Sequence, residues 1–429
     1  MKVYSYKDKA YKTKVAEMLR SSSLFDQTIL DRTTAIVDSV RNQGDRALIR
    51  LTKKFDGASL TPETLRVSDT EIVAAQRIPL KIKKAVRAAA NNIRAFSKVS
   101  KRKNWQMRNS HHAIVGEKFD PFQRVGLYIP GGTAPLISTA LMTITLAKVA
   151  GCPEIAVCTP CDAEGAVNQD LLFTLKQAGA TEIYRLGGAQ AIAALALGTQ
   201  SIPSVNKIFG PGNAYVVAAK CALFGRVAID LLPGPSEALI IADDSANPDW
   251  IAADLMAQAE HGSGHERVVL LTPSNRLLKR TLKSIDRQLP ERARAQYIKK
   301  ALSRGGWCLH VKDLAAAIEI TNRFAPEHCE IMTQCNRNLE RQITTAGALF
   351  LGGYSPTVLG DYVAGPSHVL PTGGAGRSFA GLTVDQFQRR TSIVQYKPAS
   401  LKKALADVET FAAMEGLDAH GRSASIRIG

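Results

Sequence analysis

Two series of alternating β-branched and Ala/Leu-rich runs occupy the chain from about residue 124 to residue 352. In the first series, "VGLYI" precedes "LISTALMTITLAKVAG", "EIAVCTP" precedes "NQDLLFTLKQAG", and "EIYRLGG" precedes "AQAIAALALG". The second series starts at "ALIIAD" and ends at "GALFLG". When strands alternate with helices, each helix carries the chain back across the sheet, so the strands run parallel. The pattern predicts an α/β fold with two Rossmann-like domains, each built on a parallel, doubly wound sheet.

The regions on either side of these series are predicted to be helical. "QTILDRTTAIVDSVRNQGDRALIRLTKKFDG" keeps apolar residues at three- and four-residue steps and stops at Gly57. Near the other end, "SLKKALADVETFAAMEGL" also has a helical pattern. We predict a helical N-terminal extension over 1–26, a first α/β domain from 27–128 and 238–381, a second from 129–237, and a C-terminal segment over 382–429.

Composition excludes several classes of protein. Hydrophobic residues make up 45% and charged residues 22% of the 429 residues, as in a globular domain. No apolar run is long enough to span a membrane, and the N-terminus is too polar for a signal peptide, so a cytoplasmic protein is the simplest interpretation. The seven cysteines are an odd number spread thinly over a long chain, which argues against a disulfide framework. The CxxC of Cys158 and Cys161 leaves a redox or zinc role open beside the simpler interpretation of two thiols at a strand end.

Positive charge is concentrated at the N-terminal end. Residues 1–110 contain 24 Lys and Arg against 10 Asp and Glu, whereas the remainder contains 31 against 28. Such a region could attract a polyanion. However, "KIKKAVRAAANNIRAF" spaces its basic residues like the solvated face of a helix, and no nucleic-acid recognition motif is present. We predict neither a nucleic-acid nor a membrane partner.

Three glycine-bearing turns follow predicted strands: "YIPGGTAP", "RLGGAQAIA" and "IFGPGNAYV". Ligands of open α/β sheets bind at the carboxyl ends of strands, where glycine lets the backbone approach them and a helix offers free N–H groups. None of the turns has the GxGxxG fingerprint. Together they predict a nucleotide or phosphate site.

Several polar pairs are candidates for a composite site. Gln258 and His261 lie three residues apart near a predicted helix end, and "LGDYVAGPSHVLPT" and "MEGLDAHG" each combine a carboxylate with a histidine. Two imidazoles, a carboxylate and an amide oxygen would suit zinc or a similar divalent ion. No local spacing announces a metal, and each histidine alone is more often an ordinary surface or core residue.

The segment "RFAPEHCEIM" places Glu327 beside His328. Neighbours in a regular strand point to opposite faces, so the two could serve one substrate only from a bend, which Pro326 would favour. The pair has two interpretations: a turn with both side chains solvated, or an acid/base pair.

Eight segments resemble the signature blocks of the histidinol dehydrogenase family, in the order of that family. They are "VGLYIPGGTAPLISTALM", "GGAQAIAALALGT", "KIFGPGNAYV", "GPSEALIIAD", "QAEHG", "APEHCEI", "GDYVAGPSHVLPTGG" and "EGLDAHGRSASIR". The resemblance covers about residue 30 to the C-terminus. It implies a four-electron oxidation of L-histidinol through L-histidinal to L-histidine, with two NAD⁺ and one Zn²⁺ per subunit.

The resemblance also implies residue roles. The zinc ligands would be Gln258, His261, Asp361 and His420. His328 would be the general base, and Glu327 would activate the water that hydrates the aldehyde. Ser236, His368 and Glu415 would help hold the substrate, together with the ligands and the catalytic pair, and Tyr128, Gln190 and Asn213 would contact NAD⁺. The implied assembly is a domain-swapped homodimer in which Glu415 and His420, within 382–429, complete the partner's site.

A few residues depart from the family pattern. Pro233 stands where Ala is usual, Cys329 stands where Leu is usual, and "AFSKVSKRKNW" lacks the His that usually follows the Phe. None of these is a proposed ligand or base. Two alternatives are a family relative acting on another small alcohol, such as a sulfonated diol, and a nucleic-acid-binding protein on a degenerate enzyme scaffold.

Overall fold

The structure is a computed structural model that describes residues 1–20, 27–131, 136–232 and 234–428. Part of the first glycine-bearing turn (132–135) and Pro233 lie outside the described residues. Within them, no helix is long and apolar enough to cross a membrane.

The helices and strands alternate as the sequence predicts from residue 124 onward. The strands are β1 Lys2–Ser5, β2 Trp105–Arg108, β3 Ile114–Pro121, β4 Arg124–Tyr128, β5 Glu154–Thr159, β6 Glu182–Arg185, β7 Lys207–Phe209, β8 Ala228–Ile229, β9 Glu237–Ala242, β10 Arg267–Thr272, β11 Gly306–His310, β12 His328–Met332, β13 Ala348–Leu351 and β14 Gln388–Gln395. The α-helices are α1 Tyr11–Met18, α2 Gln27–Gln43, α3 Asp45–Phe55, α4 Asp69–Ala74, α5 Leu80–Ser100, α6 Ile137–Ala150, α7 Gln169–Ala178, α8 Gly188–Leu197, α9 Ala214–Leu223, α10 Pro248–Ala259, α11 Asn275–Gln288, α12 Ala295–Gly305, α13 Leu314–Phe324, α14 Asn336–Glu340, α15 Thr357–Tyr362, α16 Pro398–Glu415 and α17 Asp418–Ser425.

The first βαβ series forms a five-stranded sheet in the order β6-β5-β4-β7-β8, with all strands parallel. The strand order reverses between β4 and β7, which is the doubly wound pattern. Its helices are apolar on nearly every face because they are covered on both sides; α8 is buried from Ala189 to Ala196. The predicted fold class is confirmed for this half.

The second series forms a six-stranded parallel sheet in the order β1-β11-β10-β9-β12-β13. Its strands β9 to β13 repeat the doubly wound order of the first sheet. Helix α10, which follows β9, begins at Pro248 after Asn247, whose side chain accepts a 2.8 Å hydrogen bond from the Asp249 N–H. Because α10 runs back across the sheet, its last turn lies toward the amino ends of the strands.

Two elements were not expected from the sequence. The segment 1–26 was predicted as helical, but Lys2–Ser5 pairs with β11 at the sheet edge. The C-terminal segment 382–429 contains a strand, β14, which pairs antiparallel with β3 in a three-stranded sheet completed by β2. These strands are short, polar or half-exposed, so the hydrophobic pattern that marks the buried strands is weak in them.

The predicted domain division grouped 27–128 with 238–381. In the structure, α2 packs on α8 and α9, and α3 packs on α8, all beside the five-stranded sheet. Residues Val37 and Leu48 share a buried cluster with Ala156 and Ile192 of that half. The first helices therefore contribute to the wall of the five-stranded half, while the domain boundaries themselves stay a prediction.

The C-terminal helices α16 and α17 pack against each other. The chain just before them is fixed by Tyr396, whose hydroxyl accepts a 2.9 Å hydrogen bond from the Asn109 amide, and Asp407 lies 3.4 Å from the His111 ring. Their outer face is apolar and exposed, with Phe411 63% and Met414 75% accessible. Such a face is uncovered in the single chain.

Candidate active site

A cavity of about 1290 Å³ opens at the carboxyl ends of β4, β5, β6 and β7. Tyr128, Gln190 and Asn213 all line it, as do Gly131, Gly187 and Gly188 of the predicted turns. The structure therefore brings the three predicted cofactor residues to one cavity. It lies at the point where the strand order reverses, which is the expected ligand position for a doubly wound sheet.

Two of these residues also have a structural role. The Tyr128 hydroxyl accepts a 3.1 Å hydrogen bond from the Gly188 N–H, where φ is +63°, and burial raises the pKa of Tyr128 to about 12. The Asn213 side chain caps α9 by accepting hydrogen bonds from the N–H groups of Tyr215 and Val216, at 3.1 and 3.2 Å. The cavity wall is thus preformed rather than assembled from loose side chains.

Charged residues from the N-terminal helices complete the cavity. Arg32, Arg50 and Lys54 line it together with Asp56, the residue after α3. The Oδ2 atom of Asp56 is buried without a hydrogen-bond partner among the described residues, and burial raises the pKa of this carboxyl. Sequence reasoning missed Asp56; its signal was an acidic residue next to the helix-ending Gly57.

Glu327 and His328 lie at the amino end of β12. The chain reaches them from α13 through Ala325, which has φ +53° and ψ +63°, and Pro326. Strand β12 begins at His328, so Glu327 precedes the regular strand. The rule that neighbouring side chains point to opposite faces of the sheet therefore does not apply to this pair. Glu327 is 8% exposed and His328 is 3% exposed, so the interpretation as a turn with solvated side chains is wrong.

Both side chains are fixed by the backbone of Glu237. The Glu327 Oε2 atom accepts a 2.8 Å hydrogen bond from the Glu237 N–H, and it lies 3.6 Å from His328 Nδ1. The His328 Nδ1 atom is 3.2 Å from the Glu237 carbonyl oxygen. Because a carbonyl oxygen only accepts, Nδ1 carries the proton in this contact. In the neutral ring, Nε2 is then the acceptor.

The His328 Nε2 atom points toward Asp361. It lies 3.6 Å from Asp361 Oδ1 and has no hydrogen-bond partner among the described residues. Burial opposes the charged imidazole, but the Glu327 and Asp361 carboxylates outweigh burial and raise the pKa of His328 to about 10. Burial also acts on Asp361, yet its contact with His328 lowers the Asp361 pKa. Asp361 is therefore an ionised carboxylate that faces Nε2 and favours the protonated form of the His328 ring.

His368 connects this cluster to the other half of the molecule. Its Nδ1 atom donates to the Asp361 carbonyl oxygen at 3.0 Å, and its Nε2 atom lies 3.1 Å from the hydroxyl of Thr139, in the first turn of α6. Burial lowers the pKa of His368, which favours a neutral ring that accepts from Thr139. Both ring nitrogens are thus engaged within the protein. A smaller cavity of about 280 Å³ lies between His328 and His368.

The other predicted ligands and substrate residues are placed less uniformly. Gln258 is buried in the last turn of α10, and its Nε2 atom has no partner in the described part of the chain. His261 is exposed just beyond that helix, and its charge contributes to lowering the pKa of Asp361. Ser236 is half-buried immediately before β9.

Glu415 and His420 lie on the exposed C-terminal helices, and within the described part of the chain no hydrogen bond or ion pair joins them to Asp361 or His328. Among the described residues, no group of three or more His, Cys, Asp and Glu side chains forms a metal-binding cluster. A single chain therefore brings together part of the predicted ligand set.

Comparison with known proteins decides the family. The histidinol dehydrogenase family model matches residues 19–428. The chain belongs to the histidinol dehydrogenase family. A histidinol dehydrogenase from a Synechococcus species is 44% identical over 393 residues, covering 91% of this chain and 90% of the relative. One from Heliobacterium mobile is 41% identical, with 96% of each chain covered. The crystal structure of histidinol dehydrogenase from Elizabethkingia anophelis matches with a TM-score of 0.95 at 35% identity, covering 100% of this chain and 98% of that one.

In this member of the histidinol dehydrogenase family, the thiols of Cys158 and Cys161 lack the lowered pKa that a redox-active CxxC requires. Burial raises the pKa of Cys158, which lies inside β5, and raises the pKa of Cys161 to about 11. A reactive thiol requires a lowered pKa. Cys329, a departure from the family pattern, is fully buried in β12 among Leu239 and Ile331, so it acts as a core residue.

Three buried carboxyl groups near Glu327 and His328 were not predicted from the sequence: Glu237, Asp254 and Glu330. Glu237 accepts from the Gly373 N–H at 3.1 Å and pairs with Arg267 at 3.0 Å, and burial raises its pKa to about 7. Glu330, two residues after His328, faces Asp254 of α10. Burial raises the pKa of Glu330 well above its usual value and that of Asp254 to about 6. Their signal was a charged residue inside an otherwise apolar strand or helix.

Proposed function

We propose that this chain is a zinc- and NAD-dependent dehydrogenase that oxidises L-histidinol through L-histidinal to L-histidine, the last steps of histidine biosynthesis, in the cytoplasm. The observation that carries the proposal is the buried pair Glu327 and His328. The ring is oriented by the Glu237 carbonyl, and its Nε2 atom, which has no hydrogen-bond partner among the residues that the structure describes, lies beside Asp361. Membership in the histidinol dehydrogenase family supports the substrate.

His328 is suited to take the alcohol proton. Hydride leaves readily from an alkoxide-like oxygen, so the first oxidation needs a base within hydrogen-bond reach of the substrate hydroxyl. In the neutral ring, the fixed Nδ1–H contact leaves Nε2 as the only acceptor. A cation bound at Asp361 would offset the carboxylate charge that otherwise keeps the ring protonated. The Nε2 atom would take a proton again when the hydrated aldehyde is oxidised.

Glu327 is suited to the hydration of the aldehyde. One of its oxygens is held by the Glu237 N–H, while the same oxygen stays 3.6 Å from His328 Nδ1. A carboxylate oriented in this way can accept a proton from water as the water adds to the carbonyl carbon. The two neighbours would then act at different stages of one four-electron oxidation.

The residues fit a zinc ion. Two imidazoles, a carboxylate and an amide suit a borderline divalent cation. The Nε2 atom of the buried Gln258 amide has no partner within the described residues, and a half-turn of the amide would present its oxygen at the same place. Zinc, when held by Gln258, His261, Asp361 and His420, would orient the substrate and offset the carboxylate charge that raises the pKa of His328.

NAD⁺, as the acceptor of both hydrides, would occupy the 1290 Å³ cavity. Tyr128, Gln190 and Asn213 would contact it there. The Oδ2 atom of Asp56, which has no partner in the described ranges, is an acceptor suited to a ribose hydroxyl. The basic residues Arg32 and Arg50 at the same wall would favour the phosphates.

A domain-swapped homodimer would complete the site. Glu415 and His420 are exposed on helices whose apolar outer face, with Phe411 and Met414, is uncovered in one chain. A second copy could cover that face and receive both residues near its own Asp361. Ser236, His368 and Glu415 would then hold the substrate together with the ligands and the catalytic pair.

A sulfonated diol is a poorer fit, and the comparisons give it no support. The cluster around Asp361 contains the carboxylate of Glu327 as well, and Glu415 would add another. Negative groups of this kind attract the ammonium of histidinol and repel a sulfonate.

The test is the stoichiometry of NADH formation with L-histidinol by the purified zinc-loaded protein. We expect two NADH for each histidinol consumed, and about one zinc per chain. One NADH per alcohol, or activity that survives complete removal of zinc, would contradict the proposal. His261→Ala should lose zinc, whereas His265→Ala, on the same loop, should keep it.

Mixing two inactive variants tests the shared site. If His420 completes the partner's site, a heterodimer of His328→Ala and His420→Ala subunits contains one intact site and one doubly defective site. When equal amounts of the two variants exchange subunits freely, half of the dimers are heterodimers, so activity should return toward about a quarter of the wild-type value. If each chain completes its own site, mixing restores nothing.

A further inference from the structure

Glu330 lies at a junction of three elements that carry proposed site residues. It is on β12, two residues after His328, and alternate residues of a strand share a face. It is buried, with 1% of its surface exposed. A carboxyl group in such a place is costly unless its oxygens have partners.

The first partner of Glu330 belongs to α15. Its Oε1 atom accepts a 3.2 Å hydrogen bond from the N–H of Thr357, the first residue of that helix. The first N–H groups of a helix have no partner within it, so a side chain from elsewhere must satisfy them. Asp361 lies four residues later, one turn along the same helix.

The second neighbour of Glu330 belongs to α10. The Glu330 Oε2 atom finds no donor among the described residues, and the Glu330 carboxyl interacts with the carboxyl of Asp254. Two buried carboxylates side by side repel each other, so one proton between them converts the contact into a hydrogen bond. Asp254 lies one helical turn before Gln258.

We propose that Glu330, through Thr357 and Asp254, is the positioning residue that fixes α15 and α10 against β12 and so sets Asp361 and Gln258 relative to His328. The inference rests on the proposed roles of those three residues. Glu330 itself does not touch the substrate in this scheme. It acts as the buried support of the ligands, a position at which substitutions typically cost about 10–100-fold in metal affinity or activity.

Three substitutions separate positioning from simple stability. Glu330→Gln keeps an oxygen for the Thr357 N–H and supplies an N–H₂ donor for Asp254. Glu330→Leu keeps the approximate volume and removes both contacts. Met332→Ala is the matched control. Met332 lies two residues further on the same face of β12 and shares a buried apolar cluster with Ile251 and Met256 of α10, and its side chain carries no oxygen that could accept from α15.

The first measurement is zinc retention against a chelator, with kcat and KM for L-histidinol. Glu330→Gln should stay within about 3-fold of wild type, whereas Glu330→Leu should bind zinc about 10–100-fold more weakly. Met332→Ala should lose thermal stability, as large-to-small core changes do, and keep its zinc affinity. Equal zinc loss in Glu330→Leu and in Met332→Ala at matched thermal stability would overturn the proposal.

The second measurement needs neither metal nor activity. Hydrogen–deuterium exchange of the metal-free protein should become faster over α15 in Glu330→Leu and stay unchanged there in Met332→Ala. Unchanged exchange over α15 in Glu330→Leu would overturn the positioning role. If Glu330→Leu fails to fold, Asp254→Leu removes the α10 contact alone and should loosen α10 but not α15. A wild-type protein that binds no zinc would contradict the proposed function, while the exchange result would still decide this inference.

Discussion

The two parallel sheets have the same doubly wound order, but their candidate site residues lie at opposite ends of the strands. The carboxyl edge of a sheet is the side at which its strands end, and the amino edge is the side at which they begin. In the five-stranded sheet, Tyr128 and the cavity lie at the carboxyl ends of the strands. In the six-stranded sheet, Glu237, Glu327 and His328 lie at the amino ends of β9 and β12. The Thr139–His368 hydrogen bond joins the two edges, because Thr139 is in the first turn of α6.

The difference shows how one architecture can supply two kinds of site. The carboxyl edge offers turns and helix N-termini, which suit a nucleotide. The amino ends of the strands in the other sheet offer the carbonyl and N–H of Glu237 as fixed partners, which orient the His328 ring and the Glu327 carboxylate. Placing these edges together would put a hydride acceptor beside a proton acceptor.

The largest effect is expected from His328→Ala. General acid/base groups typically contribute about 10²–10⁴-fold, and overall histidine formation should fall by about that range. His310→Ala is the control, because His310 ends β11 at the opposite edge of the same sheet and bonds to Ser5 and the Pro273 carbonyl. Steady-state NADH formation measures both. Equal losses in the two variants would break the distinction between the two edges.

Glu327→Gln should impair the second stage more than the first. The amide keeps an acceptor for the Glu237 N–H but loses the charge that can take a proton from water. With L-histidinal supplied directly, we expect a loss of about 10²-fold, at the lower end for a general base. Single-turnover NADH formation with each substrate separates the stages. A normal rate with histidinal would remove Glu327 from the hydration step.

Tyr128→Phe should act at the other edge, on the cofactor. The change removes the acceptor for the Gly188 N–H, and such a hydrogen bond contributes about 0.5–1.5 kcal/mol. The KM for NAD⁺ should rise by about 2–10-fold, with little change in the KM for histidinol. Kinetics with each substrate varied in turn would show this split. A rise in the KM for histidinol alone would contradict the assignment of Tyr128 to the NAD⁺ cavity.

The smallest effect is expected from the basic N-terminal part. Lys81, Lys84 and Arg87 are exposed on α5, outside both edges. Replacing all three by Gln should change turnover by less than about 2-fold at moderate salt, because exposed charges are screened. Lys101 differs, since its ammonium donates to the Val149 and Ala150 carbonyls at the end of α6. A large loss in the triple variant would connect this surface to catalysis.

Most of the parallel architecture was predictable because its signal is local. Runs such as "EIAVC" are buried on both faces, and the helices between them are nearly continuous in apolar residues. The antiparallel pairing of β14 with β3 was not, because it joins distant, half-exposed and polar segments. The family resemblance begins at about residue 30, so it gave no indication of the strand at Lys2–Ser5.

The candidate site was predictable as a set of residues and not as an arrangement. The family blocks indicated Glu327 and His328, but their burial and the contact with Glu237 depend on strands that are distant in sequence. The Asp254–Glu330 neighbourhood likewise arises from packing of α10 on β12. No periodicity in the sequence encodes such a pair.

Ala325 tolerates few substitutions, because its backbone conformation leads the chain into Glu327 and His328. It is fully buried and holds the left-handed conformation that turns α13 into Pro326 and Glu327. That conformation costs a residue with a Cβ about 1–2 kcal/mol, and a β-branched side chain there would add a clash in a buried position. Glycine is therefore the replacement for Ala325 that should disturb its neighbours least. The position of Glu327 and His328 thus depends on a residue that takes no part in the hydrogen bonds of either side chain.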